Sequence, residues 1–221
     1  MAVSSRLSIC LSFNVSRTRV KICGITRAAD ARDAVDAGVD ALGLVFYPPS
    51  SRLVSIEQAR ELARAVPPFV TLVGLFVNER ASVVRSVLEN VPLQLLQFHG
   101  EEDEAYCASF GRPYIKAARV KAGLDLVKYA ESFPTAQGLL LDAYVEGYGG
   151  GGQPFDWSLI PSKLSLPVIL SGGLDADNVS AAIRAVRPWG VDTSSGVEAG
   201  PGIKDARKIV AFMDGVNRAY L

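Results

Sequence analysis

Val20-Lys21-Ile22-Cys23-Gly24-Ile25-Thr26 is a short alternation of apolar and polar positions that breaks on a glycine and a threonine. Alternation with a period of two marks a half-buried strand. The glycine and the capping threonine mark a tight turn into a helix. Cys23 therefore ends a strand, and Lys21 shares its face by parity. In a parallel barrel that end of the strand is where the chemistry is carried. On these residues alone Cys23 is either a catalytic thiol or a small buried hydrophobe. An inward Lys21 needs a carboxylate partner, which suits a structural ion pair better than a Schiff-base nucleophile.

From Arg19 onward the same unit recurs: a β-branched or leucine-rich run, a turn, then an amphipathic helix. The runs are Val20–Cys23, Ala41–Phe46, Val70–Val77, Leu93–Phe98, Tyr114–Ala117, Gly138–Asp142, Pro167–Ser171 and Gly190–Thr193. Between them, Ser55-Ile56-Glu57-Gln58 is a capping box, followed by an apolar stripe through Ala59, Leu62 and Ala63. Late in the chain, caps at Asp175 or Asp177 precede a stripe through Val179, Ala182 and Ile183. Strands alternating with helices give a mostly parallel sheet. Eight such units over roughly 200 residues favour closure into a single-domain α/β (β/α)8 TIM barrel. No G-x-G-x-x-G follows the first strand, which argues against an open dinucleotide-binding sheet.

The composition is neutral, with 23 basic and 23 acidic residues in 221. It offers no nucleic-acid surface, so an anionic ligand must be met by a local site. No apolar run approaches a membrane span. Cys10, Cys23 and Cys107 form no C-x-x-C pair, and with one histidine they make no ordinary zinc site. No metal is expected, and a reduced intracellular compartment is. Residues 1–18 are serine-rich, carry Arg6 and Arg17 and contain no acid. They are expected to be a disordered extension, with a transit peptide and a misplaced start as alternatives. The barrel domain is expected over residues 19–221. Cytoplasm is the expected location, with a plastid open if the extension is a transit peptide.

Two late turns read as an anion site. Ser171-Gly172-Gly173-Leu174 follows the seventh strand and opens a helix, and Thr193-Ser194-Ser195-Gly196-Val197 follows the eighth. Glycines let backbone N–H groups approach an anion, hydroxyls add donors, and helix N-termini favour negative charge. Barrels often hold a phosphate there. A phosphorylated small molecule is the expected ligand. Ala143–Pro154, with glycines at 147 and 149–152, replaces the sixth helix and reads as a lid or binding loop. Polar residues stand at other strand ends: Asp142 on the sixth, Gln97 and His99 on one face of the fourth, Asp192 on the eighth. Arg52 lies in the loop after the second. A thiol and a carboxyl at one mouth can serve as base and acid, if a positive field from Arg52 or helix N-termini favours the thiolate. Cys107, within the Glu102–Phe110 helix pattern, is expected to be a packing residue.

Taken together, Val20–Thr26, Phe46–Arg52, Gln97-Phe98-His99-Gly100, Leu139–Asp142, Phe155-Asp156-Trp157, Ser171–Leu174 and Asp192–Glu198 resemble the phosphoribosylanthranilate isomerases of tryptophan biosynthesis. The resemblance runs in order from about Arg19 to the C-terminus. It implies a cofactor-free (β/α)8 barrel performing an Amadori rearrangement of N-(5-phosphoribosyl)anthranilate. By that resemblance Cys23 is the general base, Asp142 the general acid and Arg52 the cation near the anthranilate. His99 and Asp192 position the substrate, and Gly172, Gly173, Ser194, Ser195 and Gly196 hold its phosphate. Monomer and homodimer both remain open. Thr193, where an aliphatic residue is common, and the glycine run before Phe155 depart from the family's pattern.

Overall fold

A computed structural model describes residues 17–144 and 155–221. Eight parallel strands close a barrel in chain order: β1 (Arg19–Cys23), β2 (Ala41–Val45), β3 (Thr71–Phe76), β4 (Leu95–Phe98), β5 (Tyr114–Val120), β6 (Gly138–Ala143), β7 (Val168–Leu170) and β8 (Gly190–Thr193). The expected (β/α)8 barrel is thus the observed fold. Closure sets Lys21 opposite Asp192 and Ile22 opposite Thr193, while Cys23 lies opposite Gly43 on the other side. Among the described residues the outer ring holds α1 (Ala28–Asp36), α2 (Ile56–Arg64), α3 (Ala81–Asn90), α4 (Glu104–Ala108), α5 (Leu126–Glu131), α6 (Val179–Val186) and α7 (Ala206–Arg218).

Local chemistry explains the helix starts. Ser55 accepts the Gln58 N–H while Gln58 reaches back to the Ser55 N–H, the full capping box. Asp103, Asp125 and Asp205 cap α4, α5 and α7 by accepting first-turn backbone N–H groups on their carboxylates, without the reciprocal half. A good cap is worth about 1 kcal/mol, which matters most for helices as short as α4 and α5. One start differs from expectation. The turn after β7 does not lead directly into a helix, because α6 begins only at Val179. The Asp175 carboxylate accepts the Asp177 and Asn178 N–H groups and builds an extra polar turn first.

Strand parity sorts the core into two layers. Val20, Ile22, Leu42, Leu44, Phe76, Leu96 and Phe98 pack in the main apolar core with residues of the surrounding helices. Each such buried side chain contributes about 1.5–3 kcal/mol. A small cluster of Cys23, Val45, Leu75 and Val77 lies above the rest of the lumen, and Ile115, Ala117 and Leu140 fill it further down. Between β8 and α7 the chain adds a 3₁₀ turn (Ser195–Val197) and a hairpin of β9 (Glu198–Gly200) with β10 (Ile203–Lys204). This hairpin is not legible from the residues alone, since its strands are too short to show a period.

Arg17 and Thr18, assigned to the extension from the sequence, lie against the barrel. Arg17 pairs with Asp40 at 2.5 Å. Thr18 is buried, and its hydroxyl shares a 2.6 Å hydrogen bond with the Tyr220 hydroxyl. The remainder of the extension and most of the glycine-rich loop, residues 145–154, lie outside the described residues. None of the described helices is long and apolar enough to cross a membrane.

Candidate active site

The C-terminal ends of the strands surround a solvent-open cleft. Cys23, Arg52, His99, Asp142, Gly172, Gly173, Asp192, Ser194 and Ser195 all border it, so one mouth gathers nearly the whole set read from the sequence. Gly196 is not on the lining; it lies in the 3₁₀ turn against the Leu174 carbonyl.

Cys23 reaches the cleft from the end of β1 and is 6% exposed. Lys21, one step below on the same face, is held by Asp192 at 2.8 Å, and Asp192 also accepts from Ser171 Oγ at 3.3 Å. The expected carboxylate partner of Lys21 is therefore one of the expected substrate-binding residues. The strand-to-strand register of β1 and β8 brings them together. Gly43 lies beneath both: a side chain there would start 2.8 Å from the Cys23 sulfur and 3.1 Å from the Lys21 nitrogen. Burial is the largest influence on the Cys23 thiol and pushes it above its ordinary value. Lys21 opposes this by its charge and by a hydrogen bond to the sulfur, and Asp192 pushes the thiol up again. Burial also works against the Lys21 charge, but Asp192 and Cys23 overcome it and hold the ammonium above the usual lysine range. The positive group that acts most strongly on the thiol is thus Lys21, ahead of the Arg52 expected from the sequence.

Asp142 stands near the end of β6, with its two oxygens in different company. Oδ1 accepts the Ala143 N–H at 2.9 Å, and Oδ2 meets His99 Nε2 at 3.1 Å. On its far side His99 Nδ1 faces Gln97 Nε2 at 3.0 Å. Arg52 lies across the cleft in a two-pronged ion pair with Glu198, both contacts 2.8 Å. Glu198 in turn takes Lys204 Nζ at 2.7 Å. Burial opposes ionisation of Glu198, and Arg52 and Lys204 outweigh it, holding the carboxyl below the usual carboxylate range. Glu198 and Lys204 were missed in the sequence because the hairpin that presents them has no periodic signature.

The two anion turns stand between β6 and β1 along the rim. Gly172 and Gly173 have φ of +84° and +63°. A side chain on Gly172 would lie 2.6 Å from the Ala143 nitrogen, so only glycine fits there. Among the described residues no backbone carbonyl accepts the Gly172 or Gly173 N–H. Successive free N–H groups in this conformation make an anion-binding concavity. On the β8 side Ser194 Oγ donates to the Cys23 carbonyl at 2.9 Å, and Lys204 donates to the Ser194 carbonyl at 3.1 Å. α6 starts too late to bring its N-terminus to this turn, and the cation beside it is Lys204, already paired with Glu198. Among the described residues no three His, Cys, Asp or Glu side chains gather to hold a metal.

A thiol and a carboxyl therefore flank an anion seat in one cleft, an arrangement suited to moving protons on a phosphorylated substrate. Comparison with known proteins points the same way. Residues 20–215 match the family model described as N-(5'phosphoribosyl)anthranilate (PRA) isomerase. The N-(5'-phosphoribosyl)anthranilate isomerase of Dechloromonas aromatica (strain RCB) is 62% identical over 203 residues, covering 92% of this chain and 98% of the relative. The crystal structure of phosphoribosyl anthranilate isomerase from Thermotoga maritima superposes with a TM-score of 0.83 at 43% identity, covering 91% of this chain and 99% of that one. A phosphoribosyl anthranilate isomerase in complex with reduced 1-(o-carboxyphenylamino)-1-deoxyribulose 5-phosphate gives 0.80 at 41% identity, covering 91% and 99%.

Proposed function

The chain belongs to the N-(5'-phosphoribosyl)anthranilate isomerase family, and on that premise we propose that Cys23 is the general base and Asp142 the general acid of its reaction. The activity is an aldose–ketose isomerisation in tryptophan biosynthesis, converting N-(5-phosphoribosyl)anthranilate to 1-(2-carboxyphenylamino)-1-deoxyribulose 5-phosphate. The observation that carries the residue assignment is the shared cleft: Cys23 and Asp142 both border it, with the Gly172–Gly173 turn between their strands.

The proton ledger closes with these two groups. Asp142 gives a proton to the ribose ring oxygen, the ring bond breaks, and the anthranilate nitrogen supplies electrons to form a Schiff base. The Cys23 thiolate takes the proton from sugar C2, leaving an enolamine. Transfer of the enol proton to C1 yields the ketone. Each step moves a proton or an electron pair with no net oxidation or reduction, so the chemistry calls for no redox cofactor. Exchange with water then returns a proton to Asp142 and removes one from Cys23.

The remaining residues bind. The N–H groups of Gly172 and Gly173, the hydroxyls of Ser194 and Ser195 and the charge of Lys204 seat the phosphate, with Gly196 allowing the turn to pack closely. Arg52, already oriented by Glu198, faces the anthranilate carboxylate. His99 and Asp192 position the sugar and its two proton-transfer groups. Every proposed site residue comes from one chain, so the site works in a monomer or in a homodimer. The bacterial relatives favour the cytoplasm.

The purified chain should quench anthranilate-type fluorescence on turnover and restore growth of a tryptophan auxotroph lacking this isomerase. Rescue by wild type but not by Asp142→Ala or Cys23→Ala supports the assignment. Rescue by either variant at wild-type expression removes that residue from the mechanism. A silent phosphate-binding barrel would bind the ribulose phosphate and rescue nothing.

A further inference from the structure

Gln97 ends up inside the barrel at the cleft, completely buried, and bordering the same space as Cys23 and Asp142. Its amide nitrogen faces His99 Nδ1 at 3.0 Å, while its oxygen has no hydrogen-bond partner. Buried amide oxygens are nearly always satisfied, so one left open beside a reacting cleft calls for a physical reason.

The hydrogen bonds around His99 supply it. An amide NH₂ only donates, so Nδ1 accepts and carries no proton. The single ring proton is then on Nε2, donated to Asp142 Oδ2 at 3.1 Å. Neutral imidazole and carboxylate share one proton, which is the state after Asp142 has released its own. Oδ1 is taken by the Ala143 N–H and packs against Gly172. That leaves Oδ2 as the oxygen that exchanges. When the pair gains a second proton, the Oδ2–Nε2 hydrogen bond still holds one and the other resides on Nδ1, as the neutral Nδ1–H tautomer beside a carboxylic acid or as imidazolium beside a carboxylate. That N–H would oppose the Gln97 NH₂. Half a turn of the amide presents Oε1 instead, the acceptor this arrangement leaves open.

We propose that Gln97 is a positioning residue of the isomerase: its amide turns to accept the His99 Nδ1–H, and so holds in the His99–Asp142 hydrogen bond the proton that Asp142 delivers to the substrate. This rests on Asp142 being the general acid. Other ionisable groups facing the pair are Cys23 from β1, Tyr47 and Arg52 from the loop after β2 and Asp192 from β8. Glu102 and Lys116 meet at Gly100, next along the chain from His99.

The test is the pH dependence of kcat for wild type, Gln97→Leu and Gln97→Glu. Leucine offers no acceptor, so the proton leaves at lower pH and the alkaline limb should fall by about one pH unit, a tenfold loss of proton affinity. Glutamate accepts with a negative charge and should move the limb upward, with KM little changed in both. His99 is the single histidine of the chain, so imidazole ¹⁵N spectra of the untagged protein read its tautomer without assignment. Wild type should show Nε2–H in alkaline solution and gain Nδ1–H on acidification, and Gln97→Leu should gain Nδ1–H only at lower pH, since Asp142 still faces Nε2. If Gln97→Leu does not fold, Gln97→Glu and the wild-type spectra still decide. An unmoved alkaline limb in a folded variant, or Nδ1 remaining unprotonated while the acid form turns over, overturns the proposal. Full turnover by Asp142→Asn would instead remove the acid itself, whatever the tautomer.

Discussion

Cys23 and Cys107 are both buried free thiols, and each has a buried lysine–carboxylate pair beside it. Lys21 meets Asp192 at 2.8 Å near the first, and Lys116 meets Glu102 at 3.3 Å near the second. Burial is the largest influence on both and raises both thiols, that of Cys107 to about 12. The difference lies in what each lysine has left to donate. Lys116 Nζ is shared among the carbonyls of Gly100 at 2.6 Å, Ala117 at 3.3 Å and Phe98 at 3.4 Å, as well as Glu102. Lys21 has Asp192 and the Cys23 sulfur. Cys23 also borders the cleft, whereas Cys107 is sealed in the core with Phe98, Phe110 and Tyr114. A thiol near a buried charge is therefore not a site; it needs a donor still free to reach it and a path to substrate.

Truncating the two thiols should break the comparison most visibly. Cys23→Ala is expected to lower kcat by about 10²–10⁴, the usual worth of one proton-transfer group. Cys107→Ala should leave kcat unchanged and lower the melting temperature, a loss of about 1 kcal/mol. Fluorescence turnover beside a thermal melt separates the two, and equal kcat for both variants would erase the distinction.

The lysines come next. Lys116→Met leaves Glu102 buried without its partner and should cost about 3–5 kcal/mol of stability, with kcat per folded molecule unaltered. Lys21→Met should destabilise comparably and also cut kcat/KM near neutral pH about tenfold, by raising the thiol further. Adding Asp192→Asn should restore stability by removing the orphaned charge, but not the rate. Urea melts and kinetics on the double variant give that answer.

A smaller effect follows from pH. The Cys23 thiol lies above its ordinary value, so the thiolate fraction, and with it kcat/KM, should rise from neutral toward mildly alkaline pH. Alkylation of Cys23 by iodoacetamide should follow the same curve and stop when a product analogue fills the cleft. For stability the sign is opposite. Both thiols are raised on folding, so their contribution is complete below the unfolded thiol value near 8.5 and is lost as pH climbs above it. Cys107→Ala should flatten most of that alkaline decline.

Much of this was legible because strand period is local. The alternation at Val20–Cys23 placed Lys21 and Cys23 on one face, and the Glu102–Phe110 pattern placed Cys107 in packing. What connects distant strands was not. Asp192 becomes the partner of Lys21 only through barrel closure. Glu198 and Lys204 come from a hairpin with no period to read. Parity put Gln97 beside His99, but the open amide oxygen depends on which atom faces Nδ1. The late start of α6 follows from the Asp175 side chain satisfying backbone N–H groups before the helix begins.

Removal of the sugar C2 proton is the step assigned to Cys23, and it is directly observable. Substrate deuterated at that carbon, followed in a single turnover with wild type and Cys23→Ala, isolates it. A thiolate base predicts a turnover at least about 10²-fold slower in the variant, with substrate still bound and the deuterium effect fully expressed. A variant that turns over the deuterated substrate at the wild-type rate would contradict the assignment of the base.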